Sequence, residues 1–141
     1  MKKNLLSISF ITLSLVCGAL TLAIQNSLTI VSFLLLFYLI PMLFFAIGCA
    51  LFKERYLSLL LKAGIGGIVF TAVYTLVFYL NIIDFNRLLA QTTVEGVQLS
   101  AVNMDFSSLL NTFITVAVMI LISQFIVDKL RNHRNTKRTV I

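Results

Sequence analysis

Four stretches of this chain run for twenty residues or more without a charged side chain: 5–24, 28–52, 63–83 and 106–127. A helix needs about 20 apolar residues to cross the ~30 Å hydrocarbon core of a bilayer. Backbone N–H and C=O groups inside lipid must be bonded within their own segment, so a lone run of this kind has to be helical. The fold this predicts is an all-α integral membrane protein, a bundle of four transmembrane helices. Residues 1–141 then form a single membrane domain with no room for a separate soluble one. Only 11% of the residues are charged, against about 25% in soluble domains, and a water-facing surface cannot be made from so few.

The positive charges set the orientation. Lys2 and Lys3 precede the first run, and Lys53, Arg55 and Lys62 lie around the second connection. Lys129, Arg131, Arg134, Lys137 and Arg138 follow the fourth run, while Arg87 alone falls on the other side. Lys and Arg concentrate in cytoplasmic loops, so both termini are expected in the cytoplasm, with residues 84–105 as an external loop and 128–141 as a basic cytoplasmic tail. The tail fixes topology and can bind anionic lipid, each cation near such a leaflet being worth about 1 kcal/mol. The first run is longer than the apolar region of a signal peptide and lacks a small-residue cleavage site, so it reads as a retained span. These features place the protein in the plasma (inner) membrane as a multi-pass protein. The residue usage, rich in Lys, Asn, Ile and Phe, suggests a bacterial source.

Lipid tails are as apolar as leucine, so helices in membranes associate through close packing and hydrogen bonds, at small and hydroxyl residues. In the first run Ser7, Ile11, Ser14, Gly18 and Thr21 recur in steps of three and four, the spacing of a left-handed seam. Gly64, Gly67, Thr71, Tyr74, Phe78 and Asn81 do the same in the third run. In the fourth, Ser107, Asn111, Thr115, Met119 and Ser123 recur every four residues, a line that drifts around the helix. The expected packing residues are Ser7, Ser14, Gly18, Thr21, Gly64, Gly67, Thr71, Tyr74, Asn111 and Thr115. Pro41, near the middle of the second run, removes a backbone donor. In a regular helix it leaves the Phe37 carbonyl unpartnered and produces a kink. In the external loop Phe85, Leu88, Leu89 and Thr92 fall at helical spacing, as in a short helix lying on the membrane surface. Tyr56 and Tyr79 are the expected interfacial anchors.

The chemistry-bearing residues are sparse. Counting helical rise puts the midplane near Ser14, Pro41, Tyr74 and Met119, and no ionisable side chain lies at that depth. Ion and proton pathways usually need one there. The chain matches the small four-helix drug-exporting family in size, but that family relies on a membrane-embedded Glu in its first helix, and residues 5–24 contain no acid. Cys17 and Cys49 sit at different depths in apolar runs, outside any metal or redox motif. His133, the only histidine, has no nucleophile or carboxylate placed to work with it. No catalytic, cofactor-binding or metal-ligating set can be assembled, and the basic charge is topological, with no nucleic-acid pattern.

The function expected is therefore a non-enzymatic accessory, regulatory or immunity-type protein. It would act through helix–helix contacts with a membrane partner, either another membrane protein or a further copy of itself. The alternative is a small oligomeric transporter or a permeability-forming protein, holin- or toxin-like, for a neutral or lipid-like substrate.

Overall fold

The computed structural model describes residues 4–52, 58–80, 82–83, 88 and 106–138, with side chains of the final helix described as far as Arg131. The helices are α1 (Leu5–Ala23), α2 (Ile30–Leu51), α3 (Leu59–Tyr79) and α4 (Phe106–Arg138). All four are long and apolar enough to span a membrane, so this is a multi-pass membrane protein. Large side chains such as Leu60, Leu76 and Phe125 point outward at 76, 59 and 70% exposure, a surface only lipid or another protein could cover.

The ends of the helices follow local chemistry. A short 3-10 turn, Gln25–Ser27, links α1 to α2, and the Thr29 side chain caps α2 by accepting from Ser32 N–H. At α3 the Ser58 hydroxyl accepts from Leu61 N–H, satisfying one of the orphan donors of a helix start. The helix therefore begins at Leu59, four residues before the apolar run that charge counting gives. Lys62 does not break it, because its ammonium folds back and donates to Phe52 O at 2.8 Å. At about 1.5 Å per residue, the 33 residues of α4 extend ~50 Å, well beyond the hydrocarbon core.

In α2 the ladder slips. Residues Leu35–Leu39 form a π turn, in which Ile40 N–H reaches Leu35 O, before α-helix resumes with Pro41 in its first turn. The carbonyl in line with the missing Pro41 donor is therefore Leu36 O, not the Phe37 O of a regular helix. Thr21 Oγ1 of α1 lies 3.3 Å from Leu36 O and shares its single hydroxyl hydrogen between that carbonyl and Cys17 O at 2.8 Å.

Helix α2 is central. It packs on α1 along one side and on α4 along another, while α3 packs on α4. Consecutive helices run antiparallel, as the pairings Ser7 with Gly48 and Ser14 with Pro41, and Gly66 with Ile120 beside Gly67 with Phe113, indicate, so α2 and α4 pack in parallel. The start of α1 and the C-terminal part of α4 near Arg131 thus lie at one end with Lys62, here the basic end. The core of that half is Met42, Phe45, Ala46, Ala63, Val116 and Ile120. At the far end Ile30, Phe33 and Phe37 form a second core with Ile83 and Leu88. Leu88 is 1% exposed there, so it packs on α2 instead of facing lipid. Phe85, Leu89 and Thr92, which share its helical spacing, lie outside the described residues, as does Tyr56.

Candidate functional site

On α1, Ser7, Ser14 and Thr21 are spaced by seven residues and are the buried polar side chains of the described core, at 1, 4 and 4% exposure. Seven residues are two turns, so all three project from one stripe. Each meets a carbonyl of α2: Ser7 Oγ donates to Gly48 O at 2.6 Å, Ser14 Oγ to Pro41 O at 2.7 Å, and Thr21 Oγ1 to Leu36 O. Thr21 also reaches its own Cys17 O at 2.8 Å. Gly48 lies in the last turn of α2, where carbonyls lack intrahelical partners. Gly48 also sets the approach, since a Cβ there would sit 2.7 Å from Ile11 Cγ1, 3.1 Å from Ser7 O and 3.2 Å from Ile11 N.

The opposite pair is built differently. A Cβ on Gly66 would lie 2.6 Å from Ile120 Cδ1, and one on Gly67 would lie 2.9 Å from the Phe113 ring and 3.3 Å from Phe113 O. Hydroxyls on α3 and α4 bond back to their own helices: Thr75 to Thr71 O, Thr112 to Ser108 O and Thr115 to Asn111 O. Thr71 Oγ1 is buried without a partner among the described residues.

Between α1 and α3 the packing stays open. Helix α3 reaches α2 through aromatic pairs, Tyr38 with Tyr74 at 5.1 Å, Phe45 with Phe70 at 5.4 Å and Phe37 with Tyr74 at 5.8 Å between ring centroids. The rings of Phe37, Phe45, Phe70 and Tyr74 floor a cleft of about 360 Å³ whose walls include Leu15, Gly18 and Leu22 of α1 and Val69, Val73 and Val77 of α3. A second hollow of about 310 Å³ shares Ile11, Phe45 and Val69 with it and extends to Cys49, Phe52 and Lys62. The first hollow has no charged residue in its lining, and the second has Lys62, at the basic end. The far end is closed by the Phe33 and Phe37 core under Ile83 and Leu88. There Gln25 Nε2 ties the α1–α2 turn to Ile82 O at 3.1 Å.

The sequence-predicted residues therefore divide. Ser7, Ser14 and Thr21 come together on α2, and Gly67 meets α4, whereas Gly18 and Gly64 have nothing within 4 Å of a Cβ position. Tyr74 joins the cleft floor. Asn111 is exposed, about 8 Å along α4 from Phe106, and its side-chain amide has no partner among the described residues. Thr115 is half-buried beside it. Asn81 lies outside the described residues. Tyr79 is 82% exposed at the end of α3. Lys129 is exposed, and Arg131 reaches Asp128 at 3.9 Å, a surface pair worth little. Arg134, Lys137 and Arg138 continue the α4 backbone. Cys17 and Cys49 are free thiols. Among the described residues no group of His, Cys, Asp and Glu could hold a metal.

Gly48 and Gly66 were not singled out by spacing. The only signal available was that Gly48 stands seven residues from Pro41, the interval that separates Ser7 from Ser14. No family model, curated protein or solved structure matches this chain.

Proposed function

We propose that this protein is a non-enzymatic accessory protein of the plasma membrane, with its basic end in the cytoplasm, that docks another membrane helix on the outer face of α4. The observation that carries this reading is Asn111. Its amide is exposed on the lipid-facing side of a transmembrane helix, where an unpartnered polar group is costly and a facing helix can supply both a donor and an acceptor. Ile114, Val118, Ile122 and Phe125 continue the same stripe at 48, 46, 50 and 70% exposure, with steps of three and four suited to left-handed packing. The α1 hydroxyls are by contrast already used on α2.

The test is purification of the tagged protein in mild detergent, with mass and co-purifying proteins recorded for the wild type and for Asn111→Leu. A stoichiometric second membrane protein, lost from the variant, supports the docking reading. A homo-oligomer that Asn111→Leu leaves intact favours the alternative, an oligomeric pathway for a neutral or lipid-like substrate.

A further inference from the structure

We propose that the cleft between α1 and α3 is a binding site for one anionic phospholipid of the surrounding bilayer, its acyl chain in the cleft and its phosphate at Lys62. The site is separate from the α4 face and does not depend on the docking reading. Three observations select the occupant.

The first is size. From Lys62 to Val77 the hollow follows α3 for about 22 Å of rise, a long and narrow shape suited to an acyl chain. The two hollows measure about 360 and 310 Å³, within the ~300–1,000 Å³ of small-ligand pockets. The second is chemistry. Apart from the Ser14 hydroxyl, which is spent on Pro41 O, and the Cys49 thiol, the walls are aliphatic and aromatic until Lys62. Among the described residues that ammonium spends one N–H on Phe52 O, which leaves two more for an anionic oxygen. The third is access. The rims are open to lipid, with Leu15 58%, Val69 46% and Val73 45% exposed. The far end is shut by Ile83, Leu88 and the Gln25 bond. A bilayer lipid enters sideways with its headgroup at the basic end, and the reverse orientation places a phosphate against the Phe33 and Phe37 core.

The experiment uses the full chain in nanodiscs of equimolar phosphatidylglycerol and phosphatidylcholine, extracted in mild detergent, with retained lipid counted by native mass spectrometry. One phosphatidylglycerol per chain is expected, favoured about fivefold over phosphatidylcholine, as one cation near an anionic headgroup provides. Lys62→Gln brings that ratio towards one, while Lys62→Arg keeps it. Gly18→Phe, built into space where nothing lies within 4 Å, removes the retained lipid with the melting temperature preserved. Equal retention of the two lipids by the wild type overturns the proposal. So does unchanged retention in a folded Gly18→Phe protein. Displacement of the phospholipid by stoichiometric oleate would also overturn it, assigning the cleft to a free fatty acid.

Discussion

The α1–α2 and α3–α4 pairs solve the same problem, holding two apolar helices together in lipid, by different means. On α1–α2, hydroxyls at seven-residue intervals donate to carbonyls of the partner, two of which are short of backbone donors: Gly48 O at a helix end, and Leu36 O below a proline. On α3–α4 the hydroxyls of Thr75, Thr112 and Thr115 close on their own turns, and contact depends on Gly66 and Gly67 leaving room for Ile120 and Phe113. One interface is directional and the other steric. A hydrogen-bonded seam fixes register, because sliding by a residue strands the carbonyls. A glycine seam fixes distance and tolerates sliding better.

The largest effect that separates the two comes from overfilling the steric pair. Gly67→Leu drives a side chain into the Phe113 ring and Phe113 O. It should cost about 1–3 kcal/mol or more of stability in mixed-micelle unfolding, with weakened α3–α4 proximity in crosslinking. A wild-type midpoint would show that this seam carries no packing. Gly48→Ala comes next, since its methyl meets Ser7 O and Ile11 N, backbone atoms that cannot rotate away. The expected loss is about 1–2 kcal/mol, more than for alanine at Gly64, where space is open. Equal effects at Gly48 and Gly64 would erase the distinction between packed and unpacked glycines. Ser14→Ala should cost less, about 0.6 kcal/mol and at most about 1.7, the range of interhelical hydrogen bonds in membranes. The smallest effect is a coupling. Pro41→Ala restores a backbone N–H in line with Leu36 O, so Thr21→Val should cost less in that background than in the wild type. Strict additivity would mean that Thr21 does not serve the proline-freed carbonyl.

The four apolar helices were legible in the sequence because lipid leaves the backbone no alternative. The Ser7, Ser14 and Thr21 stripe was visible for a related reason: a hydroxyl repeated every seven residues in an apolar run marks one face. Other features depend on what faces a residue. Gly48 and Gly64 look alike in sequence, and the positions of Ser7 and Ile11 make one crowded while the other stays open. The slip at Leu35–Leu39 follows from Pro41 together with a donor from another helix, which no reading of the second run alone contains. The start of α3 came four residues early because a serine cap and a folded-back Lys62 let the helix run past its charge. The cleft was hidden most fully. It exists because paired aromatic rings hold α3 off α2 while α1 stands beyond Gly18, a property of three helices at once.

All of these contacts presuppose four antiparallel crossings with the two termini on one side, and topology is the most direct thing to measure. Reporter fusions after residue 93 and after residue 138, in intact cells, should report the periplasmic or external face at the first point and the cytoplasm at the second. A cytoplasmic signal at residue 93 would contradict the four-span arrangement and, with it, the orientation of Lys62 and the docking face on α4.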